Sequence, residues 1–270
     1  KSTAFIGKVG RDMHGEFLNA TLVANDVNCD GLVLDPNCFT TLAFVALSEE
    51  GERTFSFARK PGADTQLRPE ELRRDVIENS RVFHVGSLSL TDEPARSATI
   101  AALDVAKAAG AVMSYDPNYR DSLWTSAEVA SEQMRSIVTY MDLIKISCEE
   151  TELLTGRSDP TEAARILLGQ GAQVVCVTLD DEGALVATKD GSATVPSFKV
   201  DAVDTTGAGD SFWGGFLCAF VDADIRPENV TLDDARSFAR FGNAVASLCV
   251  RRRGAIPAMP TLDEVEKVLS

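Results

Sequence analysis

Asp204-Thr-Thr-Gly-Ala-Gly-Asp-Ser-Phe212 stands between two segments of different character. Ser197–Val203 before it reads as a strand, and the almost wholly apolar Phe212–Val221 after it reads as a helix. The Gly207-Ala208-Gly209 turn would therefore deliver the chain to a helix N-terminus. There the first N–H groups lack intrahelical acceptors and the helix dipole is positive. Glycine permits close backbone approach, so the turn suits a phosphoryl group in transfer. Asp210, at the mouth of that helix, can accept a proton from an attacking hydroxyl. Gly214-Gly215 are expected to let the helix pack tightly on a sheet. On the residues alone, Asp210 reads equally well as an ordinary first-turn carboxylate. A Walker A run is absent, G-x-G-x-x-G fails because Phe212 takes the place of its third glycine, and the protein-kinase signature is missing.

Outward from this motif the chain alternates. Arg81–Gly86, Ala111–Tyr115, Asp142–Ser147 and Gln173–Leu179 read as strands. Pro94–Ala109, Ser126–Tyr140 and Thr161–Gln170 read as helices, the second opened by a capping box of Thr125 and Glu128. This order predicts an α/β three-layer sandwich with a mostly parallel central sheet, its ligands outside the carboxyl ends of the strands. Thr40–Leu47 and Arg53–Arg59 alternate with period two around Glu49-Glu50-Gly51-Glu52, which predicts a hairpin. Its length and regularity make it a small β-lid at about 38–60 on a single domain spanning 1–270. Leu42, Phe44 and Ala46 fall on one face and Ala43, Val45 and Leu47 on the other. An isolated hairpin buries neither face, so one is expected to cover a ligand and the other to meet the main domain or a second copy.

Composition narrows the partners. The 270 residues carry 41 Asp and Glu against 26 Lys and Arg, a formal charge of −15. Such a surface repels nucleic acid and anionic lipid. A nucleotide site in it needs local positive potential, and Arg251-Arg-Arg253 is one source. Six cysteines include no C-x-x-C pair, and Cys176 and Cys218 lie in apolar runs, which fits a reducing cytoplasm. With only His14 and His84, a histidine-based zinc site is not expected. No apolar run is long enough to span a membrane, and no signal peptide is visible.

Asp204-Thr-Thr-Gly-Ala-Gly-Asp210 resembles the C-terminal signature of ribokinase/PfkB carbohydrate kinases, and other segments are similar across nearly the whole chain. Ala4–Gly10 with Asp12 and Gly15 resembles the early strand and turn of fructokinases. Phe57-x-Arg59 with Gly62-Ala63-Asp64 resembles the end of their lid. Asp116-Pro-Asn-Tyr-Arg120 with Leu123-Trp124 resembles a run they share with 2-keto-3-deoxygluconate kinases, and Gly254-Ala-Ile-Pro-Ala258 their C-terminal loop.

The resemblance implies ATP-dependent phosphorylation of a ketose, D-fructose at a primary hydroxyl, with Asp210 as base and Gly207, Ala208 and Gly209 as anion hole. It implies Arg120 as a clamp on phosphate oxygens, with Arg59, Asp64 and Asn118 on the sugar side. For the nucleotide it implies Ser147, Thr178, Asp180, Gly183, Gly209 and Asn243. Glu150 would act on Mg²⁺ through water, and Asp204 with the Thr206 carbonyl would hold a monovalent cation such as K⁺. Pairing of two copies through the lid is also implied. Two departures stand out: Ser147 replaces a common Asn, and Asp180 replaces the first Gly of the nucleotide loop. By the same comparison, a first strand and a sugar-binding segment precede Lys1 in related sequences. A 2-keto-3-deoxygluconate kinase and a non-catalytic kinase-like scaffold are the alternative readings.

Overall fold

The computed structural model describes residues 1–47 and 53–270, with side chains outside 45–55. They form two compact units, Lys1–Tyr140 and Met141–Ser270.

In the first unit, β1 (Thr3–Gly10) and β2 (Val27–Asp35) run parallel, joined by α1 (Met13–Ala24). Asp12 caps α1: its carboxylate accepts from the N–H groups of His14 and Gly15, and also from Thr40. The Thr40 N–H foremost, then that of Gly15, hold this carboxyl at about 2. β3 (Leu42–Leu47) and β4 (Arg53–Ala58) pair antiparallel, Leu42 opposite Ala58 and Leu47 opposite Arg53, which is the expected hairpin. Its turn, Glu49-Glu50-Gly51-Glu52, and the facing of Val45, Ala46 and Leu47 lie outside the described residues. After a short α2 (Arg74–Glu78), β5 (Val82–Val85) and β6 (Val112–Tyr115) run parallel on either side of α3 (Ala95–Ala108) in the chain. Helix α3 buries Ala95, Ala98, Thr99, Ala102, Leu103 and Ala106, the i, i+3, i+4 stripe that a sheet-covering helix needs.

The unit closes with α4 (Ala127–Ser136), whose cap is Ser126 accepting from Val129 N–H at 3.3 Å. The expected Thr125–Glu128 box does not form: the cap lies one residue later, where the Ser126 hydroxyl reaches the third helical N–H and Val129 has no side-chain acceptor to reciprocate. The chain beyond Ser136 continues only as a 3₁₀ turn, Val138–Tyr140.

In the second unit, β7 (Leu143–Ser147) and β8 (Val174–Thr178) run parallel, with α5 (Thr151–Thr155) and α6 (Pro160–Gly169) between them. Then β9 (Ala184–Thr188) and β10 (Gly191–Val195) add antiparallel strands through the two-residue turn Lys189-Asp190. The α/β class and the parallel pairing expected for the strands from Arg81 to Leu179 are present. Ser197–Val203 is not a strand. Pro196 ends the β10 ladder, and the N–H groups of Val203 and Asp204 both donate to the Val250 carbonyl. Phe198 packs instead on a cluster of Ala244, Leu248 and Val265, with Arg240 over its ring.

The remaining helices are α7 (Ala208–Ala223), α8 (Leu232–Cys249) and α9 (Leu262–Leu269). Helices α7 and α8 meet through Trp213, Phe216, Phe220 and Phe238, with Trp213 stacked on Phe216 at 4.7 Å and Phe216 edge-on to Phe238 at 5.5 Å. The close approach expected of Gly214-Gly215 occurs against α8, not a sheet, and only at Gly215. A Cβ there would lie 3.0 Å from Gly242 Cα, whereas Gly214 faces open space. A Cβ on Gly242 would lie 2.6 Å from the Phe212 carbonyl oxygen. Gly242→Ala should therefore force the helices apart and cost about 1–3 kcal/mol. Urea unfolding is the check, with a lowered midpoint at unchanged slope expected.

All six cysteines are free thiols. Cys176 is buried as expected and Cys218 is half-buried. The second fully buried thiol is Cys249.

Candidate active site

The second unit carries the glycine turn. Gly207 sits at φ 80°, ψ 6°, a left-handed conformation natural to glycine, and caps α7. The helix begins at Ala208, four residues before the expected Phe212, so Asp210 lies within its first turn and is solvent-exposed. The Ala208 N–H is spent within the turn on the Thr205 carbonyl at 3.2 Å. The intrahelical ladder starts with Ser211 N–H donating to the Gly207 carbonyl at 2.8 Å, so the Gly209 and Asp210 N–H groups precede it.

The preceding residues are fastened to the C-terminal loop. Asp204 accepts from Thr206 N–H at 2.9 Å and from Gly254 N–H at 3.0 Å, one oxygen each. A Cβ on Gly207 would lie 2.9 Å from the Ala255 methyl. Gly254-Ala-Ile-Pro-Ala258 thus backs the turn, and the exposed Arg251–Arg253 lies just ahead of it in the chain. Arg252 is paired with Glu264.

Ser147 and Thr178 are opposite each other at the carboxyl ends of β7 and β8. Ser147 N–H donates to Glu150 at 2.7 Å, closing a capping box, so Glu150 is a buried carboxylate with one oxygen fixed by backbone. Asn243 on α8 is also buried, and its Nδ2 donates to the carbonyls of Val195 and Pro196 at 3.0 and 3.1 Å. That amide therefore fastens the end of β10. In the loop after β8, Asp180 keeps a left-handed backbone at φ 50°, one that Asp tolerates, and is exposed. Replacing the glycine leaves the turn intact. Lys145, to which the sequence reading gives no role, lies buried on β7 with its side chain against Gly209. A lone cation inside Leu143–Ile146 was the signal.

The remaining candidates lie in the first unit. Asp116, at the end of β6, is buried and accepts from Asn118 N–H at 3.2 Å, with Asn118 at φ 49°. Arg120 donates to the Tyr119 carbonyl at 2.8 Å. Arg59 is largely consumed: Nε donates to Asp64 at 2.7 Å, Nη1 to Thr91 at 2.8 Å and Nη2 to the Leu88 carbonyl at 2.8 Å. Asp64 also accepts from Thr41. Arg59 and Asp64 thus brace the base of the hairpin.

Among the described residues no group of three or more His, Cys, Asp or Glu could hold a metal ion. No helix among them is long and apolar enough to cross a membrane.

A family model described as pfkB family carbohydrate kinase matches residues 1–262. Probable fructokinase-4 of Arabidopsis thaliana is 46% identical over 271 residues, covering 98% of this chain and 81% of that protein. A fructokinase from Vibrio cholerae O395, solved with fructose, ADP and a calcium ion, superposes with a TM-score of 0.90 at 32% identity, over 100% of this chain and 86% of that one. A fructokinase from Xylella fastidiosa with bound ATP gives 0.89 at 35% identity, over 98% and 84%.

Proposed function

The chain belongs to the pfkB family of carbohydrate kinases, and from that premise we propose that it transfers the γ-phosphoryl group of ATP to a primary hydroxyl of D-fructose. The observation that carries the reading is the exposed Asp210 carboxylate in the same helical turn as the Gly209 N–H. Asp210 accepts the hydroxyl proton as the sugar oxygen attacks the γ-phosphorus, and the bond from that phosphorus to the ADP oxygen breaks. The early N–H groups of α7 stabilise charge on the transferred group. Ser147, Thr178, Gly183 and Asn243 belong to the nucleotide side of this reading. Asn118 and Asp64 belong to the sugar side, with Arg59 as a brace, and Arg120 is the clamp on phosphate oxygens. Residues 1–270 form one kinase domain in it, the hairpin is its lid, and the exposed Phe44 on β3 suits sugar cover or contact with a second copy.

Glu150, positioned by its bond from Ser147 N–H, would act through water on a divalent ion that arrives on the nucleotide phosphates. Mg²⁺ on ATP supplies charge neutralisation to the transfer. Asp204, held from two sides, and the Thr206 carbonyl suit a weakly charged ion such as K⁺. Free thiols throughout suit a reducing compartment, the cytoplasm in this reading.

The test compares kcat/KM for fructose and 2-keto-3-deoxygluconate with MgATP. Fructose should be preferred by at least about tenfold, because a carboxylate substrate needs an additional cation that discriminates by several kcal/mol. EDTA should abolish turnover, and K⁺ should support faster turnover than Na⁺. A ratio favouring the keto acid reverses the substrate, and no turnover of either leaves the scaffold reading.

A further inference from the structure

We propose that Lys145 is a further catalytic residue of this transfer, its ammonium taking up negative charge on the phosphoryl group at the first turn of α7. The inference rests on the kinase reading of that turn.

Strand β7 is a costly place for a lysine. Leu143, Ile144 and Ile146 are fully buried and Lys145 is 5% exposed. An ammonium taken out of water needs its hydration replaced by fixed partners or by a ligand. Alternation puts Leu143, Lys145 and Ser147 on one face, opposite Val174, Cys176 and Thr178 of β8. Lys145 is thus one step along that face from the two strand-end residues, at the edge where such sheets bind ligands. Cys176 does not neutralise it: burial pushes that thiol well above its ordinary range, so it stays protonated.

The side chain reaches α7. A Cβ built on Gly209 would lie 2.9 Å from Lys145 Nζ and 3.7 Å from Cε. Gly207 takes a positive φ, but Gly209 is not among the residues that do, so its backbone needs no glycine. What it needs is room, and the ammonium fills that room. A full positive charge and the positive end of a 16-residue helix therefore meet at one point. Asp210 in the same turn offsets one charge, and the arrangement favours a further anion. In a chain of net charge −15, this contributes to the local positive potential that a polyphosphate requires.

Lys145→Met keeps the length of the stem and removes the charge. With fructose and MgATP its kcat should fall about 10²–10³-fold, the usual cost of one lost donor to transition-state charge, with fructose KM within about threefold. The ratio of rates with ATP and ATPγS should fall as well, because the lost contact is to the nonbridging oxygens of the moving group. A packing role would leave that ratio unchanged. Lys145→Arg should recover part of the rate. A Met variant with kcat within about threefold of wild type and an unchanged ratio overturns the proposal. Should the Met variant show no cooperative thermal transition, Gly209→Ala displaces the ammonium without removing it. It should lower kcat in a folded protein, and an unchanged kcat overturns the proposal. If the wild type phosphorylates no sugar, the kinase reading fails separately. Calorimetry with tripolyphosphate then decides: at least tenfold weaker binding by Lys145→Met sustains the anion role, and equal affinity refutes it.

Discussion

Asp210→Asn should lower kcat by about 10²–10⁴-fold while MgATP binds within about threefold of wild type. Asn matches the carboxylate in size and cannot take a proton. The side chain is exposed at the first turn of α7, so the exchange buries no new group and leaves no cavity. The backbone of that turn is fixed by other means: Gly207 at φ 80°, the Thr205–Ala208 bond, and Asp204 holding Thr206 and Gly254. The fold loses one acidic residue near a helix N-terminus, worth about 0.3–1 kcal/mol, together with its offset to the Lys145 ammonium. The protein should therefore fold, bind nucleotide and fail at proton acceptance. Because that interaction belongs to the transition state alone, kcat and kcat/KM should fall together. Steady-state rates with fructose, paired with calorimetric titration of MgATP, measure both halves. Turnover within threefold of wild type would falsify the role of Asp210 as base, whatever the sugar.

The residue pattern carried the parallel core and the motif, and it failed where a side chain's partner is distant in sequence. β8 is an apolar run and β7 is one interrupted only by Lys145, and their limits are found within a residue of the reading. Ser197–Val203 has the composition of a strand, yet Phe198 and Val203 are claimed by α8 and the Val250 carbonyl. Local alternation cannot tell a ladder from a chain lying across a helix. The β9–β10 hairpin went unread although Asp190-Gly191 after an apolar run is a turn signal. In the site, Asp210 and the glycines were legible because they are contiguous. Glu150 and Asn243 were found as candidates, but their bonds to Ser147, Val195 and Pro196 were not. Lys145 had the faintest signal, since its meaning depends on Gly209, which is 64 positions away (209 − 145).

Gly183→Ala should be the most damaging single methyl in the second unit, costing about 2–6 kcal/mol. Two terms add. Gly183 sits at φ 107°, ψ −125°, a region that costs an L-residue about 1–3 kcal/mol. Its added Cβ would lie 2.2 Å from the Val195 carbonyl oxygen and 2.6 Å from Ser197 N, both backbone atoms, so relief requires the chain to move, at a further 1–3 kcal/mol or so. That backbone is not loose: Asn243 holds the carbonyls of Val195 and Pro196, and Leu179 N–H holds the Gly183 carbonyl at 2.8 Å. The methyl must therefore break the nucleotide loop, the end of β10 or the Asn243 contacts. Asp180→Gly, in the same loop, is the control. Asp180 at φ 50° is exposed, and the strain that glycine relieves is offset by the added freedom of the unfolded chain. Its stability should stay within about 1 kcal/mol of wild type, and the lost carboxylate should leave MgATP bound at least as tightly. Urea midpoints at constant slope compare the two. If the Gly183 and Asp180 variants unfold at the same urea concentration as wild type, the loop is not closed against Val195 as described.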